Sequence, residues 1–212
     1  MVPARLRVRI EPFERLAQRY EAWFEAHVQE YEAELQAVRA CLPRGGTGLE
    51  IGVGTGRFAA PLGVEYGVEP ARAMAAEAHK RGIRTVVARG EELPFRSNVF
   101  DYSVMVTTIC FLDDPIKALQ EARRVLTPSG RLIIGFVDRE SPLGRRYQDA
   151  RDANPFYRVA QFYSPAEVEH LLGTAGFHVE AWVQALFGVE AERAVVPGTG
   201  QGSFVVCTAR PA

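Results

Sequence analysis

The chain has 212 residues, of which 47% are hydrophobic and 24% are charged, which is enough apolar content for one buried core. Its formal net charge of −1 gives no electrostatic reason to expect nucleic acid or an anionic membrane as a partner. Three cysteines without C-x-x-C spacing argue against a disulfide framework or a metal site. No signal peptide or long apolar run is present, so we expect a cytoplasmic protein.

Residues 11–42 are predicted to be helical, with an amphipathic pattern. Their apolar positions, from Phe13 to Val38, recur three or four residues apart. Because this segment precedes the first predicted strand, we expect an N-terminal helical cap over the edge of the sheet.

Residues 46–138 repeat a pattern of strand, turn and helix, which is typical of a parallel sheet. The segment Phe100–Val106 is apolar on both faces, as a central parallel strand should be. After the first strand at Leu49 and Ile51, the other predicted elements here are the strands Val64–Val68, Ile83–Val87, Phe100–Val106 and Arg131–Val137 and the helix Ala71–Arg81.

Residues 139–163 interrupt this rhythm with a stretch rich in arginine and aromatic residues. Residues 164–212 then hold a capping box at Ser164 and Glu167, which predicts a helix that stops before Gly176. Two final strands, Phe177–Leu186 and Ser203–Ala209, are predicted to close the sheet as a hairpin.

The segment Gly48–Phe58 reads GLEIGVGTGRF and follows the first strand with three glycines, Gly52, Gly54 and Gly56. It is not the dinucleotide pattern G-x-G-x-x-G, because Arg57 stands where the last glycine should be. Glu50, two residues before the first glycine, would repel a pyrophosphate and attract a cationic ligand. A second carboxylate, Glu69, ends the next strand, where such residues bind ribose hydroxyls.

With these motifs the sequence resembles the class I S-adenosylmethionine-dependent methyltransferases, and within them the group that includes quinone-biosynthesis C-methyltransferases and many small-molecule methyltransferases. The resemblance implies one α/β domain over residues 1–212, with a Rossmann-like, doubly wound, seven-stranded sheet that is mostly parallel. Its last strand would be antiparallel, and helices would cover both faces. S-adenosylmethionine would be the cofactor and S-adenosylhomocysteine the product.

The resemblance also implies which residues bind the cofactor. Glu50 would face its amino-acid end, Arg57 could pair with its carboxylate, and Glu69 would hold the ribose. The segment Arg89–Phe95, RGEELPF, matches a further family motif in which Leu93 covers adenine, although the family often has Asp where Arg89 stands. The predicted cofactor-binding set is Glu50, Gly52, Gly54, Gly56, Arg57, Glu69, Pro70, Met74, Gly90, Glu91, Leu93, Val106, Thr107 and Thr108.

Methyl transfer from a sulfonium depends mainly on alignment, so no universal catalytic residue is expected. In the resembling family the insertion at residues 139–163 usually forms part of the substrate wall. The candidate substrate-side residues are Tyr20, His27, Cys110, Phe111, Asp113, Tyr147 and Tyr157.

We expect a small-molecule acceptor that is methylated on N, O or C. Two alternatives stay open, a methyltransferase acting on protein or tRNA and a cofactor-binding accessory protein without turnover. We do not expect nucleic acid as the methyl acceptor. The [N/D]-P-P-[Y/F/W] sequence of adenine methylation is absent, and the net charge is near zero. Oligomeric state is not indicated by the sequence.

Overall fold

The computed structural model describes residues 4–188 and 194–212, and a single twisted sheet forms the centre of this part. The eight strands within it lie in the order β3-β2-β1-β4-β5-β8-β6-β7. Their bounds are β1 Gly48–Ile51, β2 Tyr66–Val68, β3 Arg84–Val86, β4 Phe100–Val106, β5 Leu126–Val137, β6 Phe177–Ala185, β7 Val195–Pro197 and β8 Phe204–Pro211.

The strand order reverses at β1, which lies between its parallel neighbours β2 and β4. From β1 the chain moves outward to β3 and then crosses back to β4 on the other side. Val104 and Met105 of β4 are fully buried, which confirms the prediction of a central strand. In such sheets the ligand binds beyond the carboxyl ends of the strands at this reversal point.

The predicted count of seven strands is wrong within the described residues. The prediction left out β7, which pairs antiparallel with the outer edge of β6 from Val183 opposite Pro197 to Ala185 opposite Val195. At three residues, β7 is too short to give a recognisable alternation of apolar and polar residues. The antiparallel last strand is confirmed, because β8 runs against both β5 and β6.

Helices lie on both faces of the sheet in the described part of the chain. Their bounds are α1 Ala4–Arg15, α2 Ala17–Ala26, α3 Val28–Cys41, α4 Ala59–Leu62, α5 Arg72–Lys80, α6 Pro115–Val125, α7 Pro142–Asp149, α8 Pro155–Val159 and α9 Pro165–Thr174. The capping box at the start of α9 is confirmed, with Ser164 and Glu167 each bonding the other's backbone N–H. None of these helices combines the length and apolar character needed to cross a bilayer.

The prediction that residues 11–42 are helical is confirmed, but the segment is not one continuous helix. The segment is divided among α1, α2 and α3, with non-helical backbone at Leu16 (φ −121°, ψ 28°) and His27 (φ −127°, ψ 49°). The two breaks let α3 pack on β5, β6 and β8 while α1 turns away to contact α5 and α8. A regular apolar spacing continues through both breaks, so it did not reveal them.

Candidate cofactor and acceptor sites

The glycine loop between β1 and α4 is left-handed at all three predicted glycines. The φ angles are 74° at Gly52, 55° at Gly54 and 84° at Gly56, a region that side chains with a Cβ rarely adopt. A Cβ on Gly52 would stand 2.4 Å from Cγ2 of Thr108. Glycine is therefore required here by both backbone conformation and space.

Glu69, just after β2, is bonded to the glycine loop. Its carboxylate accepts hydrogen bonds from the backbone N–H of Gly54 at 3.0 Å and of Ala71 at 2.9 Å. Burial raises the pKa of Glu69 to about 7, although both hydrogen bonds lower it. The two oxygens retain lone pairs that could accept further hydrogen bonds from a ligand.

Glu50, in β1, is a buried carboxylate that lacks a partner for one oxygen. Its side chain is 2% exposed, and Oε2 has no hydrogen-bond partner in the described part of the chain. Burial raises the pKa of Glu50 well above its ordinary value; a backbone hydrogen bond from Ala59 opposes this shift, and the charge of Glu69 adds to it. An unpartnered buried carboxylate oxygen suits a cationic ligand group.

The carboxyl ends of β1, β2 and β4 surround a cavity that we call the glycine-loop cavity. It also takes in Arg9, Ile10 and Phe13 from α1. Most of the residues predicted to bind the cofactor lie in its wall, namely Gly52, Gly54, Glu69, Pro70, Met74, Gly90, Glu91, Val106, Thr107 and Thr108.

Four predicted cofactor residues lie outside this wall: Glu50, Gly56, Arg57 and Leu93. The Arg57 guanidinium is engaged by Glu21 of α2, with Nη2 2.6 Å from Oε2, and it lies over the ring of Phe24. This placement does not fit its predicted pairing with the cofactor carboxylate.

Leu93 is likewise placed differently from the prediction. It is buried in the hydrophobic core beside Leu112, and it is Leu112 that reaches the cavity. Leu112, in the loop after β4, lines the cavity where Leu93 was predicted to do so.

Arg89 and Glu91 form a charged group at one side of the glycine-loop cavity. Nη2 of Arg89 lies 3.2 Å from Asp113 and 3.4 Å from Glu91. Glu91 in turn accepts a hydrogen bond from the backbone N–H of Asp113 at 2.9 Å. Asp113, predicted as a substrate-side residue, is therefore occupied in holding this loop. The residue that caps α6 is its neighbour Asp114, which accepts a hydrogen bond from the backbone N–H of Lys117.

Arg9 and Ile10 also line the glycine-loop cavity, although neither was predicted as a site residue. Arg9 donates to the carbonyl of Leu112 at 2.7 Å and pairs with Asp113 at 3.2 Å, so it joins α1 to the loop after β4. Ile10 precedes Phe13 by three residues, and this spacing could have extended the predicted helix by one turn towards the N-terminus.

A second cavity of about 370 Å³, which we call the aromatic cavity, lies between the sheet and helices α2, α3, α7 and α8. Twelve of its twenty lining residues are aromatic. Five predicted substrate-side residues line it: Tyr20, Cys110, Phe111, Tyr147 and Tyr157. His27 does not line it, because its ring stacks on Trp23 at 4.7 Å and its Nδ1 lies 2.8 Å from the Trp23 carbonyl.

Two charged residues line the aromatic cavity, the exposed Arg19 and the buried Glu34, and the sequence analysis predicted neither. Glu34 lies on α3 and is 5% exposed. Burial, with a smaller effect of the charge on Glu30, raises its pKa to about 8. A glutamate among the apolar residues of an amphipathic helix is the sequence signal that could have identified it.

The two cavities adjoin where four residues line both: Phe13, Tyr20, Thr107 and Phe111. Thr107, at the end of β4, has a φ of 50°, which is rare for a β-branched residue. Such strain persists where the surrounding structure imposes it, and it concentrates at functional sites. The backbone of Thr107 is held by its N–H bond to Gly135 at 2.8 Å.

A doubly wound sheet with a glycine loop after β1 and a carboxylate after β2 defines a Rossmann-like protein that binds a nucleoside-containing cofactor. A family model described as a methyltransferase domain matches residues 49–134. The chain belongs to the class I S-adenosylmethionine-dependent methyltransferases, and S-adenosylmethionine is its cofactor.

Similar proteins extend this likeness over nearly the whole chain. One solved structure, from Thermotoga maritima, is described as an S-adenosylmethionine-dependent methyltransferase and possible histamine N-methyltransferase. It is 47% identical to this chain with a TM-score of 0.90, and the match covers 95% of this chain and 99% of that one. The uncharacterized protein MJ1123 of Methanocaldococcus jannaschii is 39% identical, over 93% of this chain and 97% of its own length. Magnesium protoporphyrin IX methyltransferase from Synechocystis, solved with bound SAH, shares the fold at 15% identity, with a TM-score of 0.68 over 98% of this chain and all of that one.

We expect Glu69→Gln to weaken the binding of S-adenosylhomocysteine by about tenfold or more. The substitution removes the charge from hydrogen bonds to the ribose, each worth about 1.5–3 kcal/mol. Calorimetry at pH 8, above the pKa of Glu69, measures the effect. The exposed Glu65, on the approach to β2, provides the matched control Glu65→Gln. Equal affinity in the wild type and Glu69→Gln would exclude Glu69 from the ribose site.

We also expect Glu34→Gln to change how stability depends on pH. Because burial raises the pKa of Glu34 from 4.5 to about 8, its contribution to stability is fully present below pH 4.5 and is lost as the pH rises through 8. The variant should therefore gain stability relative to the wild type between about pH 5 and pH 8, as measured by urea unfolding without ligand. The exposed Glu32 gives the control Glu32→Gln, and parallel pH curves for wild type and Glu34→Gln would contradict the prediction.

Proposed function

We propose that this methyltransferase transfers the methyl group to a small molecule held in the aromatic cavity. The observation that carries the proposal is the shared wall of the two cavities at Tyr20, Thr107 and Phe111. A donor in the glycine-loop cavity and an acceptor in the aromatic cavity would meet at this wall. The apolar lining would keep water away from the reacting groups.

The residues in the wall of the glycine-loop cavity, and Glu50 just outside it, fit the cofactor. Glu69 would accept from the ribose hydroxyls, and the unpartnered Oε2 of Glu50 suits the α-amino group. When bound, S-adenosylmethionine supplies a methyl group whose bond to sulfur breaks, with its electron pair left on sulfur, as the bond to the acceptor forms.

The side chains nearest the shared wall serve best as positioning groups. Burial raises the pKa of the Cys110 thiol to about 12, and its Sγ donates to the Thr107 carbonyl at 3.2 Å. Burial also raises the pKa of Tyr20, so both side chains are neutral at pH 7. Holding two reactants in line can lower the activation barrier by about 7–11 kcal/mol. An acceptor that enters deprotonated requires no general base.

The alternatives are an acceptor in protein or tRNA and an accessory protein without turnover. A concave cavity lined mainly by aromatic residues favours a small molecule, whereas a tRNA-binding face would rely on exposed basic residues. A cytoplasmic location stays a prediction.

Transfer of labelled methyl from S-adenosylmethionine separates these readings. We expect label in a metabolite pool that includes amines, since one similar protein is described as a possible histamine N-methyltransferase. Label only in protein or tRNA would overturn the small-molecule acceptor. Cofactor binding without any label in metabolites, protein or tRNA would support an accessory protein without turnover.

We further expect replacements in the stacked pair Tyr147 and Tyr157 to separate turnover from cofactor binding. Their ring centroids lie 4.3 Å apart in the aromatic cavity and outside the glycine-loop cavity. Tyr147→Leu and Tyr157→Leu should lower kcat/KM for the acceptor by about tenfold or more while leaving cofactor affinity unchanged. The matched control variant is Tyr66→Leu, because Tyr66 lies on β2 and lines neither cavity. Unchanged turnover in both tyrosine variants would remove the pair from the acceptor site.

A further inference from the structure

Glu34 is a buried carboxylate in the wall of the aromatic cavity, and the proposed function leaves it without a role. It lies on the inward face of α3, where the other buried residues are apolar: Ala33, Leu35, Ala37 and Val38. Its own side chain is only 5% exposed, yet it borders the cavity.

Among the residues whose side chains the structure describes, Glu34 has no partner that would explain its burial. Three other buried glutamates each accept hydrogen bonds from backbone N–H groups: Glu50 from Ala59, Glu69 from Gly54 and Ala71, and Glu91 from Asp113. Over residues 9–188 and 194–212, whose side chains the structure describes, Glu34 by contrast takes part in no side-chain hydrogen bond or ion pair. It therefore does not cap a helix or hold a loop there.

The charges around Glu34 do not neutralise it. Glu30, one turn earlier on α3, has the same sign and favours the protonated form of Glu34. Arg19, the other charged residue of the cavity wall, is exposed and forms no ion pair with it among the described residues. Tyr20, Tyr147 and Tyr157, which face the cavity, are uncharged at pH 7 because burial raises the pKa of each.

A carboxylate buried without a partner is neutralised either by taking up a proton or by binding a cationic ligand. The neighbouring side chains favour the cation. Trp23, Tyr147 and Tyr157 line the cavity, and each ring has only one face covered by a stacked neighbour among the described residues. Aromatic rings attract ammonium-type groups through the negative side of their quadrupole.

We propose that the methyl acceptor is a small organic cation, such as a protonated amine, and that Glu34 is the specificity-determining residue that pairs with its charge. This inference rests on the proposed function, because it assumes that the aromatic cavity holds the acceptor. The charged group lies against Glu34 and the aromatic rings, and the accepting atom lies towards the wall shared with the glycine-loop cavity. Glu34 selects the acceptor by charge and takes no part in breaking or forming a bond.

The test compares three probes of similar shape and different charge: 2-phenylethylamine, 2-phenylethanol and 3-phenylpropionate. Each is titrated by calorimetry at pH 7 into protein saturated with S-adenosylhomocysteine. We expect the amine to bind at least about tenfold more tightly than the alcohol, and the carboxylate to bind most weakly. Because Glu34 is largely protonated without a ligand at this pH, amine binding should release protons, seen as a difference between buffers of different ionisation enthalpy.

Glu34→Gln should remove both the preference for the amine and the proton release. Glu34→Asp, which keeps the charge, should retain part of the preference, and Glu32→Gln should behave as the wild type. Equal binding of amine and alcohol, no binding of the amine at millimolar concentration, or a preference that persists in Glu34→Gln would overturn the inference.

The proposed function fails separately from this inference. Loss of S-adenosylhomocysteine binding or of all methyl transfer to metabolites would count against the proposed function itself. Methyl transfer to a metabolite that a cation exchanger does not retain at pH 7 would leave the small-molecule function intact and contradict only the role of Glu34.

Discussion

The hydrogen bond between the backbone N–H of Gly54 and the carboxylate of Glu69 is the interaction on which the cofactor site depends. At 3.0 Å it joins the loop after β1 to the end of β2. It forms because Gly54 has a positive φ that turns its N–H towards the neighbouring strand end. The same carboxylate accepts from Ala71 and so fixes the residue just before α5. One side chain thereby holds the loop, the strand end and the start of a helix in a single arrangement.

Both cavities place buried carboxylates where a cationic ligand could neutralise them. Glu69 lines the glycine-loop cavity, Glu50 lies on β1 just outside its wall, and Glu34 lines the aromatic cavity. Burial raises the pKa of all three. The arginines of this region do not offset this charge, because each has a carboxylate partner. Arg9 and Arg89 pair with Asp113, and Arg57 and Arg81 pair with Glu21 of α2. That ion-pair cluster instead fastens α2 to the loop and to the end of α5. A sulfonium carrying an amino group suits the first cavity, and a cationic acceptor would suit the second.

The sequence predicted the parallel part of the fold well because its signals are local. Gly52, Gly54, Gly56 and Glu69 follow apolar strands at short spacing, and the structure places them at the reversal point of the sheet. Ser164 and Glu167 likewise form the capping box that their spacing predicts.

The features that the sequence did not reveal depend on distant contacts. Arg57 resembled a residue that could pair with the cofactor, but its partner Glu21 lies 36 positions away in the chain. Leu112 lines the cavity and Leu93 does not. The loop after β4 is held beside this motif by bonds to Arg9 and Glu91, and no local pattern indicates these contacts. Glu34 was visible as an acid on an apolar helix face, but only the packing of α7 and α8 shows that this face borders a cavity.

The most direct test of this account is an experimental structure of the protein with bound S-adenosylhomocysteine. The account predicts that both ribose hydroxyls lie within hydrogen-bond distance of Glu69, and that the amino group lies on the side of Glu50. It also predicts that the sulfur points through the wall at Thr107 towards the aromatic cavity. A ligand whose ribose lies away from Glu69, or whose sulfur points away from that cavity, would contradict it.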